Sequence, residues 1–288
     1  MNDQNQRLLI AVGDNCLDVS LSRHAMTVGG NALNVAVQWK RQGWNSRYFG
    51  AVADDAEGTV VLDALETAGL DRKDTEIRTG DTAVTMLKDD AGERRILLES
   101  LGVGIGYQPE EERFAALRTA AWVHLGTNAD EHLVQRLVGE GIPFSVDVSL
   151  AHFAIPLTGV PLVFASGPDD AEQPVEPVIE ALRAAGAKMV LLTCGRRGAY
   201  FHDGHKITFE PALSIDVVDT CGAGDTFFAR FLTAWRFENA GISAALALAA
   251  RDAARTCGHL GGFPQPPIPL PDWLLEKYAA IIQQVEEA

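Results

Sequence analysis

Asp219 to Phe228 read D-T-C-G-A-G-D-T-F-F, a turn of small residues that leads directly into a strongly apolar segment. After this turn, apolar side chains recur at the spacing of one helical face: Phe227, Phe228, Phe231, Leu232 and Trp235. This stripe predicts a helix that packs on a hydrophobic core and holds the preceding loop in place. Gly222 and Gly224 allow a ligand to approach the backbone closely, and the free amides at a helix N-terminus favour a phosphate group.

Asp225 falls in the first turn of this predicted helix, beside an anion hole formed by Gly222, Ala223 and Gly224. A carboxylate in this position can accept the proton of an alcohol that attacks a phosphorus atom. A helix cap would also explain an acidic residue here, but it would not explain the glycines. The segment therefore predicts phosphoryl transfer with Asp225 as the general base, provided that the chain contains a site for the alcohol.

A second glycine-containing segment, Val28 to Gly43, reads V-G-G-N-A-L-N-V-A-V-Q-W-K-R-Q-G and runs into an amphipathic helix. Asn31, Asn34 and Gln38 are spaced at i, i+3 and i+7, so their amides share one helical face. Amides arranged in this way suit a ligand with many hydroxyl groups. The alternative is that Asn31 caps the helix and that Asn34 is solvated.

The chain resembles the ribokinase-like (PfkB) carbohydrate kinases over almost its whole length. Four motifs carry the resemblance, in the order in which the family has them: Gly13 to Asp18 (G-D-N-C-L-D), Gly29 to Gly43, Thr193 to Gly198 (T-C-G-R-R-G) and Asp219 to Asp225. Within the family, the first two motifs and the short length are most similar to fructoselysine 6-kinase and related fructosamine kinases. The resemblance implies an α/β protein with the three-layer α/β/α ribokinase-like fold, a mainly parallel sheet and a small β lid.

The resemblance also implies the residues that bind the sugar. Asp18 would bind substrate hydroxyls with the help of Gly30 and Asn34, and the further candidates are Asp14, Asn15 and Asn31. For Asp14 the alternative is a turn in which its side chain binds nearby backbone.

The nucleotide loop of the family matches Thr193, Gly195 and Gly198. A turn between two strands that holds no ligand is the alternative for such a short pattern. Arg196 and Arg197 within it face either solvent or a phosphate group.

Metal ions are expected at two places. Asp219 and the carbonyl of Cys221 resemble the monovalent-cation site of the family, for which potassium is the expected ion. Ser166-Gly167-Pro168-Asp169 stands where the family usually has Asn-x-x-Glu near the metal-bound phosphates, and it is the clearest departure from the family pattern. Because magnesium prefers oxygen ligands and often binds through water, we expect Ser166 to contact ATP and Asp169 to serve the magnesium ion.

The composition limits the possible functions. The chain has 288 residues, of which 47% are hydrophobic, so it can form one substantial core with a small appendage. With 24 basic and 39 acidic residues, its net charge of −15 opposes general binding to nucleic acid or to an anionic membrane. The N-terminal residues M-N-D-Q-N-Q-R lack the long apolar region of a secretory signal, and no run approaches the ~18 apolar residues of a membrane span. We therefore expect a cytoplasmic protein.

The cysteines and histidines do not form a recognisable metal or disulfide pattern. Cys16, Cys194, Cys221 and Cys257 are widely separated and include no C-x-x-C, so we expect reduced thiols. The seven histidines lack H-E-x-x-H spacing. His202 and His205 flank Asp203-Gly204, which predicts a hairpin turn.

Apolar runs alternate with helical patterns along the chain, which is typical of an α/β protein. The runs are Leu8 to Val12, Trp122 to Leu125, Phe144 to Val148, Leu162 to Ala165 and Met189 to Thr193. Continuously apolar strands of this kind predict a parallel sheet covered on both faces, with ligands at the carboxyl ends of its strands. Asp14, Ser166 and Gly195 each follow one of these strands, so we expect them to meet in one crevice.

Other segments predict the elements around that crevice. Thr82 to Glu99 has a hairpin pattern around D-D-A-G-E, and we expect a β lid from about residues 14–27 and 78–100 of a single domain spanning residues 1–288. The lid would cover the sugar or contact a second copy of the chain in a homodimer. Gly258 to Pro269 predicts a loop beside the nucleotide, and Asp272 to Glu287 predicts a final helix.

These observations predict an ATP- and magnesium-dependent kinase that transfers the γ-phosphoryl group to a hydroxyl of a ketose-type sugar, preferably a fructosamine such as fructoselysine. The ammonium of such a substrate would need a nearby carboxylate, and Asp14 or Glu99 could supply it. Other ketoses and nucleosides stay open as acceptors. The altered Ser166 to Asp169 segment favours one rival, a catalytically weak sensor of sugar or nucleotide.

A second rival is a dinucleotide oxidoreductase, which Gly102-Val103-Gly104-Ile105-Gly106 suggests. Tyr107 occupies the position of the third glycine of the fingerprint, and Gln108-Pro109 interrupts the expected start of a helix. The chain also lacks a Walker A sequence and the G-x-S-x-G motif of many hydrolases.

Overall fold

A computed structural model of the chain describes residues 6–90 and 93–286. Its strands are β1 (Leu8–Val12), β2 (Cys16–Ser20), β3 (Ala25–Gly29), β4 (Asn45–Ala53), β5 (Thr75–Arg78), β6 (Val84–Asp90), β7 (Glu93–Ser100), β8 (Trp122–Leu125), β9 (Phe144–Ser149), β10 (Leu162–Ser166), β11 (Val190–Thr193), β12 (Gly198–His202), β13 (Ile207–Pro211) and β14 (Ile268–Pro269). Its α-helices are α1 (Asn31–Arg41), α2 (Ala56–Thr67), α3 (Glu111–Leu117), α4 (Glu131–Gly139), α5 (Glu176–Ala184), α6 (Ala223–Arg236), α7 (Ile242–Thr256), α8 (Asp272–Lys277) and α9 (Ala279–Glu286).

The main sheet has the strand order β13-β12-β11-β10-β9-β8-β1-β4-β5. The strands from β11 to β5 in this order are parallel to their neighbours. β12 and β13 are antiparallel and form the hairpin that the sequence predicts around Asp203-Gly204. The predicted α/β class and the mainly parallel sheet are therefore confirmed.

Helices cover both faces of this sheet because successive strand residues point in opposite directions. In β1, Leu9 and Ala11 belong to one hydrophobic core and Ile10 and Val12 belong to the other. The first core also contains the buried residues of α1, α6 and α7, and the second contains those of α3, α4 and α5. The result is the predicted three-layer α/β/α arrangement.

A second, smaller sheet has the strand order β14-β3-β2-β6-β7, and we call it the lid sheet. Its strands β2, β6 and β7 lie within the two segments in which the sequence predicts the lid, and β3 begins in the first of them and ends at Gly29. The predicted turn at Ala91-Gly92 lies outside the described residues. The short strand β14 joins this sheet by pairing with β3. The segment Gly258 to Pro269, expected as a loop, therefore ends in the lid sheet.

The C-terminal helix differs from the prediction. Instead of one helix from Asp272, the chain forms α8 and α9, with a break at Tyr278, where φ is −105° and ψ is 15°. The Tyr278 hydroxyl donates a hydrogen bond to Glu57 of α2 at 3.2 Å, so a side-chain contact fixes the chain where the helix is interrupted. Residue Glu287, the predicted end of the helix, lies outside the described residues. No helix in the described ranges has the length and apolar character needed to cross a membrane.

Candidate active site

The carboxylate of Asp225 lies at the carboxyl edge of the main sheet, between two amides of α1. Asn31 Nδ2 donates to Asp225 Oδ1 at 2.6 Å, and Asn34 Nδ2 donates to Asp225 Oδ2 at 2.6 Å. The two amides reach the same carboxylate because residues three positions apart lie on the same face of a helix. The predicted amide face of α1 therefore exists, and it fixes both oxygens of Asp225.

The surroundings of Asp225 make its carboxylate more basic than an exposed one. The residue is 9% exposed. Burial raises the pKa of Asp225 well above its ordinary value, and the charges of Asp147 and Asp14 raise it further. The hydrogen bonds from Asn34 and Asn31 lower this pKa. A carboxylate with a raised pKa is a stronger proton acceptor, which suits a general base.

The loop before α6 presents backbone amides to a ligand. Gly222 precedes the helix in the left-handed conformation, with φ of 68°. A Cβ atom there would lie 2.3 Å from the Cα of Gly262, so the position accepts only glycine. In the described part of the chain no side chain caps α6, whereas Asp55 caps α2 and Asp130 caps α4. The α6 N-terminus therefore has no side-chain partner, although the amide of Ala223 donates to the carbonyl of Thr220 at 3.3 Å. The anion hole expected at Gly222, Ala223 and Gly224 stays a prediction.

Asp219 connects this loop to the segment that follows α7. Its Oδ1 accepts from the amide of Cys221 at 3.1 Å, and its Oδ2 accepts from the amide of Gly261 at 3.1 Å. The role visible for Asp219 is therefore to hold the loop before α6 against the segment after α7. The expected monovalent-cation site at Asp219 and Cys221 stays a prediction.

A pocket lies between this loop and the lid sheet. Its lining comprises Asp18, Ser20, Arg23, Ala25, Thr27, Leu87, Asp219, Cys221 and Leu260. Asp18, the principal sugar-binding candidate, enters from β2, and its Oδ2 lies 3.8 Å from the thiol of Cys221. The structure thus places Asp18 in one pocket with Asp219 and Cys221, which precede the predicted anion hole in the chain.

Asp14 and Gly30 shape the start of α1. Asp14 accepts hydrogen bonds from the amides of Asn31 at 2.6 Å and Ala32 at 3.2 Å, so its side chain binds backbone. Gly30 has φ of 110°, and a Cβ atom there would lie 2.4 Å from the Cα of Asn15. The backbone-binding alternative for Asp14 therefore describes its side chain better than the sugar contact that the resemblance implied.

Two buried asparagines keep an oxygen for a further partner. Among the described residues, Asn34 Oδ1 and Asn15 Oδ1 have no hydrogen-bond partner. The amide nitrogen of Asn15 donates to the Tyr48 hydroxyl at 2.9 Å and to the carbonyl of Ala51 at 2.8 Å. Buried acceptors without a partner are unfavourable, so a ligand hydroxyl at either oxygen would be stabilising.

The sequence analysis missed Asp147 and His124, which lie next to this site. Asp147 Oδ2 accepts from Asn31 Nδ2 at 2.6 Å, and burial raises the pKa of Asp147 to about 7. His124 stacks on Phe228 with ring centroids 4.3 Å apart, and burial lowers the pKa of His124 to about 3. A signal existed, since both are titratable residues within runs that predict buried strands.

The predicted nucleotide residues lie at the same sheet edge. Ser166 and Thr193 are register partners at the ends of β10 and β11. A 3-10 turn at Gly195–Arg197 connects β11 to the antiparallel strand β12. The segment is therefore a turn between two strands, which was the alternative, and whether it holds a nucleotide stays a prediction.

Side chains on either side of this turn hold it to the segment after β10. Asp169 Oδ1 accepts from the amide of Arg196 at 2.9 Å. The guanidinium of Arg197 donates to the carbonyls of Pro168, Asp170 and Gln173 at 3.2, 2.7 and 2.8 Å. The side chain of Arg197 thus binds backbone carbonyls, whereas the sequence analysis expected it to face either solvent or a phosphate group.

Few side chains near the predicted nucleotide residues could bind a magnesium ion. Among the residues that the structure describes, no group of three or more His, Cys, Asp or Glu side chains could hold a metal ion. Asp169 supplies one carboxylate there, and its Oδ1 is used by Arg196. Magnesium usually binds through one or two carboxylates together with water and phosphate oxygens. This donor set fits such a site, with most of the ligands coming from water and substrate.

Comparisons with known proteins agree with this geometry. Residues 9–138 and 158–268 match the pfkB family carbohydrate kinases. The fructosamine kinase FrlD of Bacillus subtilis (strain 168) is 32% identical over 263 residues, which cover 88% of this chain and 92% of that protein. Fructoselysine 6-kinase of Escherichia coli (strain K12) is 29% identical over 266 residues, which cover 89% of this chain and 100% of that protein.

Solved structures give the same fold. The ribokinase of Arabidopsis thaliana, in a complex with ribose and ATP, superposes with a TM-score of 0.77 at 20% identity and covers 90% of this chain and 96% of its own. The ribokinase of Thermotoga maritima gives a TM-score of 0.74 at 17% identity, with 96% of this chain and 99% of its own covered. The predicted ribokinase-like fold is therefore confirmed, and the chain belongs to the pfkB family of carbohydrate kinases.

Proposed function

We propose that the protein is an ATP-dependent fructosamine kinase that works in the cytoplasm. The observation that carries the proposal is the position of Asp225, whose carboxylate is fixed by two amides at the uncapped start of α6. The names of the two relatives support the choice of acceptor. No cysteine in the described part of the chain forms a disulfide bond, which fits a reducing compartment.

In the proposed reaction, Asp225 accepts the proton of the substrate hydroxyl while that oxygen attacks the γ-phosphorus atom. Asn31 and Asn34 hold the carboxylate in one orientation, so no reorganisation is needed when the proton moves. The amides of Gly222, Ala223 and Gly224 stabilise the charge that develops on the transferred group. The lid sheet excludes water, which would otherwise compete with the sugar as the nucleophile.

Metal ions take a limited place in this proposal. Asp169 is the residue that would hold magnesium, and the ion would neutralise charge on the phosphate groups. Ser166, Thr193, Gly195 and Gly198 are the proposed nucleotide contacts. Asp219 and the carbonyl of Cys221 are the proposed contacts of a potassium ion, which would further rigidify the anion-binding loop.

The lid sheet supports a substrate that carries an amine. Asp18 of β2 is the register partner of Thr85 in β6, and Thr85 is the register partner of Glu99 in β7. Register partners point to the same face of a sheet, so Asp18 and Glu99 share a face and lie about 10 Å apart across two strand spacings. Asp14 already binds two backbone amides. Glu99 is therefore the carboxylate that we propose for the ammonium of a fructosamine.

The next row on that face is mostly apolar. Leu87 of β6 lines the pocket, and its register partner is Ile96 of β7, which is 57% exposed. An exposed isoleucine beside a binding pocket can cover the methylene groups of an alkyl amine. This row favours a fructosamine with an alkyl chain, such as fructoselysine, over a free ketose.

The proposed base is tested by Asp225→Asn, which keeps the shape of the side chain and removes its ability to accept the proton. We expect the variant to fold normally and to lose on the order of 10² to 10⁴ in phosphorylation rate. The measurement is ATP consumption with fructoselysine, alongside circular dichroism to confirm folding. Undiminished turnover would refute the assignment of Asp225.

The acceptor is tested by measuring ATP consumption over fructosamines, free ketoses and nucleosides, with and without potassium. We expect the highest kcat/KM with a fructosamine and a gain when potassium is present. If a sugar raises the melting temperature while no member of the panel causes ATP consumption, the chain is a sensor and the kinase proposal is wrong.

A further inference from the structure

A single amide connects two buried carboxylates at this site. Asn31 Nδ2 donates to Asp225 Oδ1 and to Asp147 Oδ2, both at 2.6 Å. A primary amide nitrogen carries two hydrogens, so these two bonds use its full donor capacity. The position of Asp225 Oδ1 is therefore tied to that of Asp147, a residue for which the mechanism above gives no role.

The orientation of this amide is set from its oxygen side. Trp122 Nε1 donates to Ser145 Oγ at 2.9 Å, and the same oxygen lies 3.0 Å from His124 Nδ1. The serine oxygen accepts from the indole N–H, and because Asn31 Oδ1 can only accept, Nε2 of His124 is the donor and Nδ1 accepts the serine proton. The proton of the neutral His124 ring is then on Nε2, which lies 3.4 Å from Asn31 Oδ1. Each group in this series thus donates to the next, from Trp122 through Ser145 and His124 to Asn31 Oδ1. With its oxygen held by His124, the Asn31 side chain directs Nδ2 toward the two carboxylates.

Asp147 is itself held by an unusual piece of backbone. Its Oδ1 accepts from the amide of Ser149 at 2.6 Å, and Ser149 has φ of 44°, in the left-handed region. The pairing of β9 with β10 shifts register next to it, between Phe164 and Ala165. A positive φ in a serine is unfavourable, and such conformations concentrate at functional sites. The fold maintains this conformation at the point where it supports Asp147.

We infer that Asp147 is a positioning residue for phosphoryl transfer: by holding the amide of Asn31 it fixes the carboxylate of Asp225 in the orientation that receives the hydroxyl proton. This inference rests on the proposed role of Asp225 as the base. It assigns Asp147 no contact with either substrate.

The charges around Asp225 give the inference a pH signature. Asp147 from β9 and Asp14 from the end of β1 raise the pKa of Asp225, and α1 contributes only the neutral amides of Asn31 and Asn34. His124 of β8, reached through Asn31, is uncharged. Because the pKa of Asp147 is about 7, its charge is present above neutral pH, and loss of that charge lowers the pKa of Asp225 there. Activity that needs the ionised base then extends to lower pH.

The test is Asp147→Asn. Its side-chain amide cannot accept from both Ser149 and Asn31, because one of its two positions now carries hydrogens. We expect kcat with fructoselysine to fall on the order of 10²-fold, as misplacement of a reacting group does. We expect the KM for ATP to stay unchanged and the acid limb of the kcat profile to move to lower pH. An unchanged kcat together with an unchanged acid limb would overturn the inference.

A second variant guards against a simple folding defect. Asn31→Ala removes the connecting amide, and because both changes break one chain of contacts, the double variant should be no slower than the slower single variant. If the double variant instead lost the product of the two single-variant losses in kcat, Asp147 would act independently of Asn31, and the inference would be overturned.

Asp74→Asn is the control for the loss of a buried carboxylate. Asp74 is also buried and paired, with Arg47 at 2.8 Å, but it lies at the amino end of β5. The kcat and the pH profile of this variant should match those of the unchanged protein.

The outcome also separates this inference from the proposed function. If Asp225→Asn is inactive and Asp147→Asn behaves as the unchanged protein, the base assignment holds and the positioning role of Asp147 is wrong. If Asp225→Asn keeps full turnover, the proposed function fails first.

Discussion

His124 is the residue in this site whose charge is set by burial alone. It is fully buried between Ser145, Asn31 and the ring of Phe228, and no carboxylate within residues 6–90 and 93–286 stabilises its protonated form. Burial lowers the pKa of His124 from 6.5 to about 3. The ring therefore stays neutral over the pH range in which the enzyme is proposed to work, as the chain of hydrogen bonds to Asn31 requires.

This pKa predicts a loss of stability in acid. Below pH 6.5 the unfolded chain binds a proton that the folded chain rejects, so the stability contributed by neutral His124 is lost as the pH falls from 6.5 toward about 3. His124→Gln keeps a donor near the Nε2 position and has no titrating ring. We expect urea midpoints measured from pH 6.5 to 4 to fall less steeply in the variant. If the urea midpoint fell equally steeply with pH in both proteins, His124 would not be the group that destabilises the folded chain in acid.

Some residues of the site could be predicted from the sequence, and others could not. Asp225, Asn31 and Asn34 stand in motifs with glycines, and the structure brings them together. Asp147 is visible as a titratable residue inside β9, but its role is not, because that role depends on which residue another element places beside it. Its contact with Asn31 spans 116 positions, and such a pairing follows from sheet order rather than from local pattern.

The strands of the main sheet also differ in how well the sequence predicts them. The five apolar runs correspond to β1, β8, β9, β10 and β11, because strands buried on both faces are mainly apolar. The sequence analysis missed β4 and β5 at the edge of the main sheet. β5 has only four residues, T-E-I-R, and Ile77 in it is 60% exposed, so its pattern contains little signal of burial.

The lid sheet gives a prediction about substrate choice that belongs to strand β7. Glu99→Gln removes the charge that we propose for the ammonium of a fructosamine and keeps the length of the side chain. Glu99 is exposed, so a charge pair there contributes about 1 kcal/mol at most, or roughly a fivefold change. We expect the KM for fructoselysine to rise by about that factor, while the KM for fructose is unchanged.

Steady-state kinetics with both acceptors measures this effect. Glu131→Gln, at the exposed start of α4, is the control because it removes a surface charge of the same kind far from the lid sheet. If Glu99→Gln raised the KM for fructose as much as the KM for fructoselysine, Glu99 would not bind the ammonium group.

On the scale of the whole molecule, the lid sheet shares a core with the main sheet. Leu17 and Val19 of β2 and Val84 and Met86 of β6 are fully buried, and they belong to the same hydrophobic cluster as the buried residues of α1 and α6. The other face of these strands lines the pocket. The lid sheet is therefore joined to the main domain by burial of apolar surface, and we expect both to unfold in one transition.

Leu17→Ala tests this coupling. Removal of a fully buried leucine side chain should lower the free energy of unfolding of the whole molecule by about 2 to 5 kcal/mol. The five tryptophans, at positions 39, 44, 122, 235 and 273, lie outside the lid sheet, so urea unfolding followed by their fluorescence reports on the main domain. Ile96→Ala on the exposed face of the same sheet should change stability by less than about 0.5 kcal/mol. If Leu17→Ala leaves the fluorescence midpoint unchanged while amides of β2 and β3 exchange faster, the lid sheet unfolds by itself, and the shared core does not couple it to the site that it covers.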